Sequence, residues 1–359
     1  RPNLASAIFR TFTYTMAPEI NSKRRIILGL MTLGPDSTHG ARITSLDEFK
    51  RCLDLFQQRG YAEVDTARLY DAGRQEAFTR QAGWEERGLS IATKWYPISA
   101  GSHRPAVLEE KLNESLQELG TDCVDIYYLH GPDRTTPYAD TVQALDKLYR
   151  QGKFKQLGLS NFSACEVAEI ATMCNERGWV RPTIYQAVYN ALTRGIEDEL
   201  IPCCRRWGID VVIFNPLAGG FFSGKYKTTG TPTDGRFSDQ NAVLGKMYRD
   251  RYFKSSTFHA LEIIEPVIQK YGLSMVEVAL RWCVHHSALN ITNGHDGIIT
   301  GFSSFEQLQS NLNDLEQGPL PAEVVDALEQ AWYTVKADAS KFWHGELVYA
   351  YDTQKVLLK

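Results

Sequence analysis

The stretch CVDIYYLH (residues 123–130) is a short apolar and β-branched run that ends in a polar side chain. An amphipathic segment, Asp140–Gln151, follows it, and a second apolar run, FKQLGLS, occupies residues 154–160. A strand, a helix and a further strand in this order predict two parallel strands joined by a crossover helix. Both runs are largely apolar, as expected of strands that are buried on both faces.

The same unit recurs along most of the chain. The other strand candidates are RRIILGL (24–30), YAEVDTA (61–67), LSIATKW (89–95), TIYQAVY (183–189), IDVVIFN (209–215) and GIITGF (297–302). Amphipathic segments lie between several of them, for example at Leu46–Arg59, Ala106–Leu119, Ser163–Arg177 and Ile196–Trp207. Eight strand–helix units without a break predict one α/β domain, a closed (β/α)8 TIM barrel. The alternative is an open doubly wound sheet, but no GxGxxG motif follows any strand.

Helix starts are also marked in the sequence. Ser45 precedes a segment with acids in its first turn, which is typical of an N-cap. Ser163 is followed three residues later by Glu166, and this spacing predicts a capping box.

Three further segments extend beyond the regular units. We predict a barrel over residues 23–335, with a long loop at 226–253 after the seventh strand. Residues 336–359 carry several aromatic residues, so we expect this C-terminal extension to pack on the barrel or on a partner. Residues 1–22 hold two arginines and no acid before Glu19, a composition found in mitochondrial transit peptides and in flexible tails.

Composition narrows the classes of partner and compartment. The formal net charge of -4 gives no electrostatic reason to expect nucleic acid or a membrane surface. No apolar run approaches the ~20 residues of a membrane-spanning helix. The seven cysteines are odd in number, form no CxxC motif and match no zinc spacing, so we expect reduced thiols and no metal site. The cytoplasm is the expected location, and the N-terminal segment keeps the mitochondrion open.

Polar residues close the predicted strands, at the end of the barrel where the chemistry of this fold takes place. In chain order they are Asp65, Lys94, His130, Ser160, Asn161, Gln186 and Asn215. A single polar residue in such a place is usually structural. Because these residues close six of the eight strands, we expect their side chains to surround one common mouth.

Tyr70 lies just past the second strand and can reach that mouth. A free tyrosine has a pKa near ~10, and a neighbouring ammonium lowers it. Lys94 would supply the ammonium, Asp65 would keep it charged, and His130 would donate a hydrogen bond to a substrate oxygen. This arrangement predicts Tyr70 as a general acid. The alternative, in which Asp65 caps the next segment and Tyr70 packs on the surface, fits the spacing equally well.

Several segments resemble the aldo-keto reductase family, in the right order. They are VDTARLY (64–70), IATK (91–94), VDIYYLHGPD (124–133), LGLSNF (157–162) and IYQAVYN (184–190). The resemblance implies a (β/α)8 barrel with a catalytic tetrad of Asp65, Tyr70, Lys94 and His130. It is strongest to the aflatoxin B1 aldehyde reductase branch, through NPLAGGFFSGKY (215–226), GRF (235–237), YRDRYF (248–253) and GFSSFEQLQSN (301–311).

That branch implies an oxidoreductase that uses NADPH. It would reduce small aldehydes such as dicarbonyls, succinic semialdehyde and aflatoxin dialdehyde to alcohols, by hydride transfer with Tyr70 as the general acid. The resemblance also implies a homodimer. Substrate contacts would come from Met31, Trp95 and Tyr248, together with one of the two arginines Arg249 and Arg251, whose orientation the sequence leaves open.

The resemblance also implies the NADPH contacts. Ser160, Asn161 and Gln186 would bind the nicotinamide carboxamide, with Phe214 as a stacking surface. The pyrophosphate would lie on Asn215, Pro216, Leu217, Gly219, Gly220, Ser223, Gly224 and Lys225. Arg236 and Lys225 would hold a 2′-phosphate. The adenosine would contact Ser303, Gln307, Ser310 and Asn311, with a weaker contact at Ser310.

Two other functions are consistent with parts of the sequence. Potassium-channel β subunits belong to the same family and keep the tetrad, so a regulatory NADP-binding subunit with little turnover is one alternative. A metal-dependent barrel hydrolase is the other. It requires His and Asp clusters at several strand ends, and His130 is the one residue that fits.

Overall fold

The structure is a computed structural model that describes residues 24–292 and 295–357. The predicted N-terminal segment, residues 1–22, lies outside the described residues. Eight parallel strands pair in chain order and close into a barrel. The strands are β1 Arg25–Gly29, β2 Glu63–Asp65, β3 Ser90–Trp95, β4 Val124–Leu129, β5 Phe154–Ser160, β6 Pro182–Val188, β7 Asp210–Phe214 and β8 Gly297–Thr300. All eight predicted strands are present, so the closed barrel is confirmed.

Helices connect the strands and continue past β8. They are α1 Leu46–Gln58, α2 Gln75–Gln81, α3 Pro105–Leu119, α4 Tyr138–Arg150, α5 Ala164–Arg177, α6 Leu200–Trp207, α7 Ala242–Tyr252, α8 Ser255–Lys270, α9 Met275–His285, α10 Phe305–Glu316, α11 Ala322–Val335 and α12 Thr353–Leu357. The described residues between β7 and β8 therefore include three α-helices. Part of the segment predicted as a loop at 226–253 is helical, because α7 lies within it.

The predicted helix starts are present. The Ser45 hydroxyl accepts a hydrogen bond from the Glu48 backbone N–H and begins α1. Ser163 and Glu166 form the capping box of α5. All seven cysteines are free thiols. In the part of the chain that the structure describes, no helix is both long and apolar enough to cross a bilayer.

Alternate residues of the strands fill the centre of the barrel. The interior cluster consists of Ile27, Ala92, Ile126, Tyr128, Ile184, Val212 and Ile299. Their neighbours along each strand point outward to the helices, as the two-residue period of a strand requires. Lys94 follows Ala92 by two residues and is therefore on the inner side. Trp95 is on the outer side.

Tyr128 is the largest side chain of this interior cluster, and its ring needs space beside the neighbouring strand. The strand register pairs it with Gly158 of β5. A Cβ built at Gly158 would lie 2.2 Å from Cδ1 of Tyr128. Gly158 therefore leaves the space into which the Tyr128 ring packs.

Replacing Gly158 by alanine should destabilise the protein. Overpacking of a close-packed core costs ~1–3 kcal/mol, and the midpoint of urea unfolding should fall accordingly. The matched control is Gly195→Ala, because a Cβ at Gly195 meets no atom within 4 Å. The control should stay within ~0.5 kcal/mol of the unmodified protein. Equal midpoints for the two variants would contradict the packing argument.

Candidate active site

A buried ion pair lies at the carboxyl end of the barrel, which we call the mouth. Lys94, near the end of β3, donates from Nζ to Asp65 Oδ1 at 2.5 Å and to the Thr66 carbonyl at 2.5 Å. Both charged side chains are buried. Gln186, from β6, donates from Nε2 to the other Asp65 oxygen at 2.8 Å. Three strands thus hold one ammonium and one carboxylate in a fixed arrangement.

Tyr70 reaches this ion pair from an irregular turn after β2. Its hydroxyl lies 3.5 Å from Lys94 Nζ, and the ammonium lies 5.0 Å from the centre of the ring. The next two residues, Asp71 and Ala72, have φ angles of 49° and 53°. A left-handed backbone is uncommon for residues with a Cβ, and such residues cluster at functional sites. The turn directs Tyr70 into the mouth rather than onto the surface.

His130 follows β4 and completes the group. Its backbone N–H donates to the Trp95 carbonyl at 2.9 Å, which ties it to β3. Its ring centre lies 6.2 Å from that of Tyr70, edge to face. The Nδ1 atom is buried and has no hydrogen-bond partner among the described residues. The structure therefore brings Asp65, Tyr70, Lys94 and His130 together at one place.

The protonation states of Tyr70, Lys94 and His130 depend on burial and on the charges of their neighbours. Burial lowers the pKa of Lys94, but the attraction of Asp65 and Tyr70 outweighs it and the pKa is raised. Burial raises the pKa of Tyr70 above 10.0 and outweighs the opposing effect of Lys94. The expectation that Lys94 brings this pKa below its ordinary value is therefore wrong, because desolvation of the phenolate is the larger effect. Burial, and then Lys94, lower the pKa of His130 well below 6.5.

The residues after β5 offer a free acceptor beside the mouth. Asn161 has a φ of 62°. It donates from Nδ2 to the His130 carbonyl at 2.8 Å and to Ser160 Oγ at 3.1 Å. Its Oδ1 is buried and has no partner in the described structure. A buried amide oxygen without a donor is costly, so an N–H of a bound carboxamide would satisfy it. Phe214 packs against the interior cluster at the end of β7 and is half-buried.

The loop after β7 is shaped to approach a ligand closely. Gly219, Gly220 and Gly224 have φ angles of 67°, 99° and 70°. A Cβ at Gly220 or Gly224 would meet no atom within 4 Å, so space lies open beside this backbone. Backbone N–H groups beside open space suit phosphate oxygens. The neighbouring predicted contacts Asn215, Pro216, Leu217 and Ser223 belong to the same loop.

Two basic residues lie near this loop. Arg236 donates from Nη1 to the Tyr248 hydroxyl at 3.2 Å, and its guanidinium lies 5.2 Å from the centre of that ring. The Arg236 Cδ is 3.7 Å from a Cβ built at Gly219. Lys225 is exposed and pairs with Asp234 at 2.8 Å. The Arg236 side chain thus lies beside Gly219, whereas the Lys225 ammonium lies on the surface.

The two arginines that the sequence left undecided differ in their contacts. Arg249 donates to the Phe237 carbonyl at 2.5 Å and to Asp239 at 2.6 Å. Arg251 makes no hydrogen bond or ion pair within residues 24–292 and 295–357, and it acts electrostatically on Tyr248 and His344. Arg249 is therefore committed to its own loop, whereas Arg251 is available to a ligand.

The predicted adenosine contacts lie at the start of α10. Gln307 Oε1 accepts a hydrogen bond from the Ser303 N–H at 2.8 Å, and Asn311 Nδ2 donates to the Gly301 carbonyl at 3.1 Å. Ser304, and not Ser303, is the N-cap residue. Ser310 is exposed. The structure brings these residues to one helix end, with the amide groups of Gln307 and Asn311 bonded locally.

Trp95 does not face the mouth. It is buried outside the barrel wall, where Nε1 donates to the Ser102 carbonyl at 3.0 Å and Lys111 of α3 lies over its ring. The alternation along β3 requires this orientation, because Lys94 points inward. Tyr96 contacts the mouth instead, with its ring centre 5.6 Å from that of His130. Met31 is half-buried after β1.

His344, a residue of the C-terminal extension that sequence reasoning missed, also lies at the site. His344 Nδ1 and the Tyr96 hydroxyl are 3.1 Å apart. The His344 backbone N–H donates to the Asn161 carbonyl at 2.9 Å. The aromatic residues of the extension were a signal that it packs on something, but nothing in the sequence indicated where.

Comparisons with known proteins show the family of this chain. A sequence model of the aldo/keto reductase family matches residues 25–333. An aldo-keto reductase of Pseudocercospora fijiensis is 45% identical over 296 residues, which cover 81% of this chain and 99% of that protein. Human aldo-keto reductase family 7 member A3 is 41% identical over 330 residues, 88% of this chain and 96% of that protein.

A mouse relative bears the name of the branch that the sequence resembles. The protein named aflatoxin B1 aldehyde reductase member 2 of Mus musculus is 40% identical over 328 residues, which cover 88% of this chain and 87% of that protein. The family match spans all eight strands and includes Asp65, Tyr70, Lys94 and His130. This chain belongs to the aldo/keto reductase family and is an oxidoreductase that acts on small-molecule carbonyl compounds with a nicotinamide cofactor.

Proposed function

We propose that the protein reduces small aldehydes to alcohols with NADPH, and that Tyr70 is the general acid. The observation that carries the proposal is the contact of the Tyr70 hydroxyl with a buried, charged Lys94 at 3.5 Å. A tyrosine whose pKa is raised above 10.0 keeps its proton at neutral pH. It is therefore in the protonation state that a proton donor needs.

Each residue of the group has a distinct role. A bound nicotinamide cofactor would supply the hydride. Tyr70 gives its proton to the carbonyl oxygen, and the Lys94 ammonium stabilises the phenolate that remains. Asp65 keeps Lys94 charged. The His130 imidazole is neutral. Because its Nδ1 is buried and has no partner in the described part of the chain, the proton is best placed on Nε2, which can donate to the substrate oxygen.

The cofactor site is proposed from the polar groups that remain unpaired. Asn161 Oδ1 and Ser160 would bind the carboxamide, Phe214 would stack on the ring, and the glycines of residues 215–225 would cradle the phosphates. Gln186 is already bonded to Asp65, so it would share its amide with the carboxamide. Arg236 and Lys225 would provide the positive charge that distinguishes NADPH from NADH.

We propose Arg251 as the partner of a negatively charged group on the substrate. Arg249 is occupied by Phe237 and Asp239, whereas Arg251 is open to pairing. A guanidinium binds a carboxylate in a bidentate geometry. Aldehydes that carry a carboxylate, such as succinic semialdehyde, fit this arrangement, and dicarbonyls or an aflatoxin dialdehyde are further candidates. The homodimer and the cellular location stay predictions.

Tyr70→Phe should abolish turnover while the protein still binds NADPH, because only the proton donor is removed. Loss of a general acid lowers the rate by ~10²–10⁴-fold. The assay is the decrease in NADPH absorbance with 4-nitrobenzaldehyde and with succinic semialdehyde, alongside NADPH affinity from fluorescence. The matched control is Tyr333→Phe, since Tyr333 is an exposed tyrosine far from the tetrad in sequence.

Two results would overturn this assignment. A Tyr70→Phe protein with the unmodified rate would remove Tyr70 from the chemistry. An unmodified protein that binds NADPH tightly and consumes none with either aldehyde would favour the regulatory subunit resembling potassium-channel β subunits.

Arg251→Ala should raise the KM for succinic semialdehyde and leave that for 4-nitrobenzaldehyde nearly unchanged. Loss of a charged hydrogen bond costs ~1.5–3 kcal/mol, or about 10–100-fold in affinity. Arg249→Ala is the matched control and should affect both aldehydes alike, because its contacts hold the loop. An equal rise in the two KM values for Arg251→Ala would exclude a carboxylate contact.

Arg236→Ala should weaken NADPH far more than NADH if its guanidinium holds the 2′-phosphate. Dissociation constants for both cofactors, measured by quenching of tryptophan fluorescence, decide this. Lys225→Ala in parallel shows whether the second cation contributes to the same preference. Equal weakening of NADPH and NADH by Arg236→Ala would assign Arg236 to the pyrophosphate, which the two cofactors share.

A further inference from the structure

Residues 339–351 form a segment that we call the C-terminal strap. It contacts the loops that follow β4 and β5, and through His344 it also contacts Tyr96 after β3. Phe342 is buried, and Trp343 and Tyr349 pack against the main core cluster. The strap is therefore attached to the same three loops that carry the Tyr96, His130 and Asn161 side chains.

A buried ion pair anchors the strap at His344 and at residues that follow it. Arg134 donates to the two Glu166 oxygens at 2.7 and 3.0 Å. The same guanidinium donates to the His344 carbonyl at 2.6 Å, and the Arg134 carbonyl accepts from the Ala350 N–H at 2.9 Å. The Tyr349 hydroxyl donates to Glu166 at 2.9 Å. The backbone at His344 is thus held by contacts that do not involve its imidazole.

Glu166 is itself fixed in the core. It closes the capping box of α5 and accepts hydrogen bonds from Ser163 at 2.8 Å and from the Tyr138 hydroxyl at 2.6 Å. Burial raises the pKa of Glu166, but the hydrogen bonds from Arg134, Tyr138 and Ser163 outweigh it and the pKa is lowered. The carboxylate stays charged, so it remains an acceptor for Arg134 and for the strap.

The His344 imidazole is linked to His130 through Tyr96. The Tyr96 hydroxyl lies 3.1 Å from His344 Nδ1. The Tyr96 ring makes a T-shaped contact with each imidazole, with ring centres 5.8 Å apart for His344 and 5.6 Å apart for His130. A Cβ at Gly131 would come within 2.9 Å of the Tyr96 ring. Glycine at position 131 therefore admits the Tyr96 ring next to His130.

We propose that His344 is a positioning residue for carbonyl reduction, because it holds Tyr96 against His130 and so fixes the imidazole that donates to the substrate oxygen. This inference rests on the proposed function of the mouth. It adds a residue from the far end of the chain to a site otherwise built from the ends of the strands. The reaction rate falls steeply when a catalytic group is misplaced, so a small increase in the mobility of the His130 ring should lower the rate measurably.

The protonation states agree with this role. Burial, and then the positive charges of Arg251 and Arg134, lower the pKa of His344 from 6.5 to about 4. Burial raises the pKa of Tyr96. At neutral pH the His344 imidazole and the Tyr96 phenol are therefore both neutral, and a single proton lies in the hydrogen bond between them. A neutral His344 also avoids repulsion with Arg251 and Arg134.

The test compares variants that remove this one contact. His344→Ala removes the imidazole and keeps the backbone hydrogen bond to Asn161, and Tyr96→Phe removes the hydroxyl and keeps the ring. Each should lower kcat/KM for 4-nitrobenzaldehyde by about 10-fold or more, mainly through kcat. The double variant should lose little more than either single one, because both substitutions break the same bond. NADPH affinity and Tm should stay close to those of the unmodified protein.

Two further variants separate positioning from simple stability of the strap. His344→Asn places an amide near the position of Nδ1 and should restore much of kcat. Lys341→Ala removes an exposed contact of the same strap, with Glu346, and should leave kcat unchanged. Unmodified kcat in His344→Ala, or an equal loss in Lys341→Ala, would overturn the inference.

A second measurement tests whether His344 positions His130 even if the protein shows no turnover. If the unmodified protein consumes no NADPH with either aldehyde, the proposed function fails. The His130 ring signals in isotope-labelled protein, assigned with His130→Gln, then report on positioning. The inference predicts that they shift in His344→Ala and stay in place in Lys341→Ala. Unshifted His130 signals in His344→Ala would overturn it.

Discussion

The buried ammonium of Lys94 is the constraint on which the rest of the mouth depends. A charge inside a protein is tolerated only when it is paired and its hydrogen bonds are met. Asp65 Oδ1 and the Thr66 carbonyl, each at 2.5 Å, meet this requirement. The partners come from the end of β2, and Gln186 of β6 fixes the other Asp65 oxygen. β2 and β3 are neighbours in the sheet, whereas β6 is adjacent to neither, so only the closed barrel brings Gln186 to the Asp65 carboxylate.

Backbone strain in this protein is concentrated at the same end of the barrel. Within the described residues, the non-glycine positions with positive φ are Asp71, Ala72, Asn161, Asn215 and Ala218. All of them lie in loops that follow β2, β5 or β7. Such conformations persist only where the surroundings hold them. Here they direct Tyr70, the Asn161 amide and the glycine loop toward one space, which links the strain to the proposed binding of cofactor and substrate.

Much of the fold and of the site follows from local pattern. The apolar runs predict all eight strands, and the polar residues that end them include Asp65, Lys94 and His130, whereas Tyr70 joins them through the family resemblance. The two-residue period of a strand explains the misplaced Trp95. If Lys94 points into the barrel, its neighbour must point out, and Tyr96 is the next residue that can return to the mouth. The pKa of Tyr70 could not be predicted from the sequence, because it depends on how much water the folded mouth excludes. Burial raises this pKa by more than the Lys94 ammonium lowers it.

The sequence by itself determined the order of the strands, the residues at the strand ends and the family. These depend on periodicity and on short segments, which the chain carries locally. Only the tertiary structure decided that the strap reaches the mouth and that, among the described residues, Arg249 has partners whereas Arg251 and the Asn161 amide oxygen have none. Tyr96 and His344 are separated by 248 positions. No local pattern encodes a contact over that distance, because it exists only once the barrel has closed and the buried Arg134–Glu166 pair has bound the strap.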